Sequence, residues 1–144
     1  MSQYSKILIA VDLSEDSDQV AQRARTLAGS NDTALHLIHV IEPLSFAYGG
    51  DIPMDFSGIQ DEIHQQATQQ LARFGEAHNI PEDQQHIVLG RPDVEIHTKA
   101  DELEADLVVI GSHGRHGLAL LLGSTANGVL HGAGCDVLAV RVGS

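Results

Sequence analysis

Five short apolar runs, each separated from the next by enough chain for a helix or a long turn, constrain this sequence more than any other feature. The first, residues 6–12, reads Lys-Ile-Leu-Ile-Ala-Val-Asp, an unbroken and β-branched stretch that suits a strand buried on both faces. The others are residues 34–42, interrupted only by His36 and His39, then 85–89, 106–111 and 136–142. Ser14 opens an acidic turn after the first run, Val20, Ala21, Ala24, Leu27 and Ala28 share one helical face, and Gly29 supplies a stop. The stripe Ile59, Ile63, Ala67, Leu71 and Phe74 predicts a second helix, reaching residue 79 ahead of Pro81. Gly90-Arg91-Pro92-Asp93 turns the chain into a third helix over 94–103, and a short one is expected over 124–131. Residues 43–58, with three Gly and two Pro, read as a long loop.

Strands alternating with helices imply repeated βαβ units. The expected fold is therefore α/β: a single doubly wound five-stranded parallel sheet with helices on both faces, one domain over residues 1–144. Ligands of such sheets bind beyond the carboxyl ends of the strands, where the strand order reverses. That directs attention to Asp12, to residues 40–42 and to the chain from Gly111 onward.

Composition narrows the partners. Eight Lys and Arg against 20 Asp and Glu leave a net charge of −12, a field that repels nucleic-acid backbones and anionic lipid surfaces. Cys135 is the single cysteine, which excludes an internal disulfide and a cysteine-built zinc site. The apolar runs are far too short to span a bilayer, and the N-terminal one stops at Asp12 with no cleavage pattern behind it. A cytoplasmic protein with no nucleic-acid or membrane partner is the expectation.

Residues 111–125 read Gly-Ser-His-Gly-Arg-His-Gly-Leu-Ala-Leu-Leu-Leu-Gly-Ser-Thr, leaving a strand and ending at a helix start. Glycines admit close approach of main-chain amides to an anion, and Ser124 and Thr125 add hydroxyls, a chemistry suited to phosphate. The plainer reading gives Gly111, Gly114 and Gly117 to turns and makes Ser124 an N-cap. The G-x-x-x-x-G-K-[ST] loop is missing, as is G-x-G-x-x-G after the first strand, which disfavours P-loop kinases and dinucleotide dehydrogenases.

Together with the opening residues 6–14, the run Leu37-Ile-His-Val40 and the ending Cys135-Asp-Val-Leu-Ala-Val140, this segment resembles the universal stress protein family over essentially the whole chain. The resemblance implies a homodimer of five-stranded domains with strand order 3-2-1-4-5. In the nucleotide-binding branch it implies ATP with Mg2+ or Mn2+, the phosphates held by G-x2-G-x9-G-[ST]. Gly111 and Gly114 match the first pair of that motif, and Gly123 and Ser124 the last. Residues 115–122 between them number eight rather than nine, a departure that bears on the phosphate cradle. By the same resemblance Asp12 contacts the ribose, Val40 the adenine through its main chain, and Ser124 and Thr125 the phosphates; Ala10 and Ile110 complete the nucleotide-binding set, which Arg115 joins as the one certain cation of the segment. Two alternatives stand beside these roles: Asp12 as a helix-leading carboxylate capped together with Glu15, and Val40 as an ordinary core residue.

Other constellations carry less. His36 and His39 sit three apart on a strand and so point to opposite faces, which rules them out as a metal pair. His113 and His116 flank Arg115 and read as a solvated polar loop before they read as catalytic or metal-binding groups. Signatures of nucleotidyl transferases, of S-G-G-x-D phosphate loops and of response regulators are all missing a required residue. Cys135 reads as a small apolar filler at the head of a buried strand. The last strand, beginning at Val137 and ending at Val142, is apolar on both faces and falls at a sheet edge, which invites pairing with a second copy. The expected function is a dimeric, adenine-nucleotide-binding regulatory or signalling module without catalytic residues, although the family admits very slow hydrolysis or phosphorylation. The alternative is a dimeric interaction protein of the same fold that binds no nucleotide.

Overall fold

The computed structural model describes residues 4–13, 17–29, 33–42, 56–111 and 134–140, with the side chains of residues 56 and 57 excepted. Five strands form one sheet: β1 (Lys6–Ala10), β2 (Ala34–Ile41), β3 (Gln85–Leu89), β4 (Leu107–Gly111) and β5 (Asp136–Val140). All four pairings are parallel and the order is β3-β2-β1-β4-β5, as expected. Helices α1 (Ser17–Ala28), α2 (Phe56–Ala77) and α3 (Pro92–Leu103) provide crossovers, and a short 3-10 turn (Glu82–Gln84) leads into β3. No helix among the described residues is long and apolar enough to cross a membrane.

Alternation along the central strands builds two cores. Ile7 and Ile9 of β1 join Leu35, Leu37, Leu107 and Val109 beneath α1 and α2, while Leu8 joins Ile38, Val108 and Ile110 beneath α3. Ile7, Leu8 and Ile9 are all 0 % exposed, which is why this strand tolerates no polar residue on either face. On α1 the small residues Ala21, Ala24 and Ala28 are buried with Val20, so the helix lies close against the sheet. Leu27, expected on the same face, is 37 % exposed instead, because it falls to the side of the narrow alanine stripe. Ile59 is likewise 39 % exposed: the stripe on α2 becomes buried only from Ala67 and Leu71 onward.

The ends of elements carry the other corrections. β1 stops at Ala10, short of Asp12, and α1 is helical from Ser17, residues 14–16 lying outside the described set. α2 begins at Phe56, so the last part of the expected loop 43–58 is helical, and the rest of that loop lies outside the described residues. At its other end α2 closes with Asn79 left-handed (φ 60), Ile80 N–H donating to the Gly75 carbonyl at 2.8 Å and Ile80 buried. α3 closes in the same way at Glu104 (φ 56), with Ala105 N–H donating to the Ala100 carbonyl at 2.9 Å. Both are Schellman turns, and Asn79 and Glu104 occupy the position glycine usually takes. β4 starts at Leu107, one residue later than expected, and the Asp106 carboxylate just ahead of it accepts from the N–H groups of Ser5 and Lys6 at 2.7 and 2.9 Å. β5 is described to Val140 and is half-exposed rather than buried, as an edge strand is; its expected extension to Val142 and the helix over 124–131 lie outside the described residues.

Candidate functional site

Strand order reverses between β1 and β4: the chain moves from β1 out to β2 and β3, then crosses back to β4 and β5. The register pairs Ala10 with Ile38 and Ile9 with Val109, so Ala10 is level with Ile110, and Val40, Asp12 and Gly111 lie just beyond. Five of the sequence-derived site residues thus meet at the carboxyl ends of three adjacent strands, where ligands of this architecture bind. Gly114, Arg115, Gly123, Ser124 and Thr125, with His113 and His116, lie outside the described residues.

Each described residue has a particular disposition there. Ile110 is 2 % exposed with its side chain in the core beneath α3, so only its main chain can face a ligand. Val40 is half-buried against that same core, leaving its main chain as the part at the strand end. Ala10 is half-buried and Gly111, without a side chain, ends β4 opposite Val140. Asp12 is exposed, and its Oδ1 accepts from the buried Ser17 hydroxyl at 3.0 Å. The carboxylate is therefore held by the first residue of α1, while Glu15, its expected capping partner, lies outside the described residues. Between them Leu13 adopts φ 64, a left-handed conformation costing about 1 kcal/mol for a residue with a Cβ.

Two histidines that the sequence rules out as a metal pair have structural partners. His39 Nδ1–H donates to the Val11 carbonyl at 2.9 Å, tying β2 to the exit of β1. His36 leaves the opposite face, as expected, and its Nδ1 meets His86 Nε2 at 3.1 Å. Parity on β2 separated the two histidines correctly, but the partner of each lies on another strand and appears only once the strand order and register are applied.

The donor set fits an adenine nucleoside at one end. A carboxylate accepts from ribose hydroxyls, and exposed main chain at a strand end presents both a donor and an acceptor to a base edge. Among the described residues no group of three or more His, Cys, Asp or Glu side chains could hold a metal ion. Cys135, half-buried just ahead of β5, has its thiol pKa raised by burial first and by Asp136, Asp101 and Asp106 after that. That is the opposite of what a nucleophilic thiolate needs.

Comparison with known proteins agrees with this architecture. The family model described as "Universal stress protein family" matches residues 3–141. Universal stress protein A homolog 2 of Coxiella burnetii is 41% identical over 146 residues, covering 99% of this chain and 98% of the relative. Among solved structures, universal stress protein UspA from Lactobacillus plantarum superposes with a TM-score of 0.75 at 22% identity, covering 98% of this chain and 100% of its own. A universal stress protein solved in complex with cAMP superposes at 0.62 with 23% identity, covering 97% of this chain and 98% of its own.

Proposed function

Because this chain belongs to the universal stress protein family, we propose that it is a cytoplasmic, homodimeric stress-response module that binds ATP or another adenine nucleotide, with Mg2+ or Mn2+, and signals through that binding. One observation carries the reading: Asp12, oriented by Ser17, stands beside the Val40 main chain and Gly111 at the point where the strand order reverses. A family neighbour at low identity holds cAMP, an adenine nucleotide, on the same fold.

In this reading Asp12 accepts hydrogen bonds from the ribose and the Val40 main chain meets the adenine edge. Gly111 lets main chain approach without a Cβ in the way. The motif residues Gly114 and Gly123 supply amides, Ser124 and Thr125 hydroxyls, and Arg115 a positive charge for the phosphates. The divalent cation offsets phosphate charge on a chain whose own net charge is −12. The reaction class is binding rather than turnover, with no general base assigned. β5 lies at the sheet edge with Val137 and Leu138 half-exposed, and pairing it with the same strand of a second copy covers that edge.

The eight-residue spacing between Gly114 and Gly123 favours the second reading, an interaction protein of this fold that takes no nucleotide. Gly123→Val separates the two. Nucleotide binding requires that the added side chain abolish ATP affinity while the oligomeric state, read by light scattering, is unchanged; the interaction reading requires that neither protein bind ATP.

A further inference from the structure

We infer that His39 is a positioning residue of the nucleotide pocket: by holding the Val11 carbonyl it sets the course of the chain that presents Asp12 to the ribose and keeps the Val40 main chain open to the base. The inference rests on the nucleotide-binding reading above.

Even-numbered residues of β2 face β1 in the ladder, and the last regular bond there runs from Val11 N–H to the Ile38 carbonyl at 3.0 Å. In a continuing parallel ladder the next bond would run from Val40 N–H to the Val11 carbonyl. That carbonyl accepts from His39 Nδ1–H at 2.9 Å, so a side chain stands at the place of a ladder donor. A carbonyl only accepts, which fixes the proton on Nδ1. Immediately beyond, Leu13 turns left-handed and Asp12 accepts from the Ser17 hydroxyl. A strained residue persists where its surroundings over-determine it, and here one anchor precedes it and the other follows it in the chain, His39 on Val11 and Ser17 on Asp12. Removing the first anchor lets the Val11 carbonyl take the ladder bond from the Val40 N–H, which extends β1 along β2 and withdraws that donor from the base.

A merely structural histidine would lower stability without changing how the protein tells one nucleotide from another. The test is therefore a ratio, measured on the refolded full-length protein by calorimetric titration of Mg-ATP and of its 2′,3′-dideoxy analogue, which lacks both ribose hydroxyls. Wild type is expected to prefer ATP by roughly tenfold. His39→Leu, which keeps bulk and loses the donor, is expected to weaken ATP by about tenfold and bring the two affinities within about twofold of each other. His39→Asn, which places an N–H near the position of Nδ1, restores the preference. Should His39→Leu fail to fold, His39→Met carries the same test with a more adaptable side chain. A wild-type ratio in the folded donorless variant, or no recovery in His39→Asn, overturns the positioning role and leaves nucleotide binding standing. No ATP binding by wild type overturns both.

Discussion

At the amino ends of the strands this molecule ties itself shut. Asp106 accepts from two main-chain N–H groups, Lys6 Nζ donates to the Leu103 carbonyl at 2.7 Å, Thr33 Oγ1 donates to the Tyr4 carbonyl at 2.7 Å, and His36 meets His86 across β2 and β3. At the carboxyl ends the polar groups are arranged differently: Asp12 is exposed, Leu13 is left-handed, and one histidine and one serine hold the chain in place. The same sheet thus has one end whose hydrogen bonds serve stability and another whose hydrogen bonds orient groups toward solvent. That asymmetry is how a parallel sheet remains stable while leaving strand ends available to a ligand.

The largest effect that can break this comparison comes from exchanging one aspartate at each end. Asp106→Ala removes an acceptor shared by two N–H donors and is expected to lower the unfolding free energy by about 3 kcal/mol in urea denaturation. Asp12→Ala is expected to cost less, about 1 kcal/mol for the single hydrogen bond lost from the Ser17 hydroxyl, while losing most ATP affinity. Equal destabilisation by the two would remove the distinction between the ends.

Next in size is Gly75→Ala near the end of α2. A Cβ there would lie 2.0 Å from Gln85 Nε2 and 2.9 Å from the Ile80 carbonyl oxygen, in the turn that delivers the chain to β3. The side-chain amide can move but the carbonyl cannot move as easily, so a loss of about 2 kcal/mol is expected, with nucleotide affinity unchanged.

A smaller loss is expected on acidification. The His36 and His86 rings lie 14° from parallel with centroids 5.3 Å apart, a separation nearly equal to the 3.1 Å contact plus the two distances from ring centre to nitrogen. The nitrogens therefore point at each other, an N–H···N bond that exists only while one of them is unprotonated. Both imidazole pKa values are lowered: His36 by burial and then Lys6, His86 by burial and then Lys99 and His36 itself. Asp83 opposes the shift at His36 and Glu102 at His86. A folded-state pKa below the ordinary 6.5 means the unfolded chain takes up protons first. This contribution to stability is whole above 6.5 and is lost as pH falls from there through the lowered folded-state values. Melting temperatures across pH 5–8 should show that slope in wild type and a flatter one in His36→Phe.

How much of this was legible beforehand depended on whether the deciding interaction was local. β3 matched at both ends because Pro81 before it and Gly90-Arg91-Pro92 after it are local stop signals. β1 was read too long because Val11 is as apolar as Ile9, and what ends the strand is the Val11 carbonyl turning to a side chain of β2. Glu104 carried no sign of a left-handed turn, since that conformation is imposed by the hydrogen bonds to Ala100 and Asp101. In the candidate site, Asp12, Val40 and Gly111 were visible because a buried apolar run ending in a polar or glycine residue marks the rim of a parallel sheet. His39 was dismissed with His36, because its role lies in a contact between residues 28 positions apart.

Calorimetric titration of Mg-ATP into protein that has been unfolded to strip bound nucleotide and then refolded tests the central claim most directly. A saturable isotherm near one site per chain is predicted. No heat of binding from a folded protein with its native circular dichroism, with Mg-ATP and with the other adenine nucleotides alike, would contradict the account.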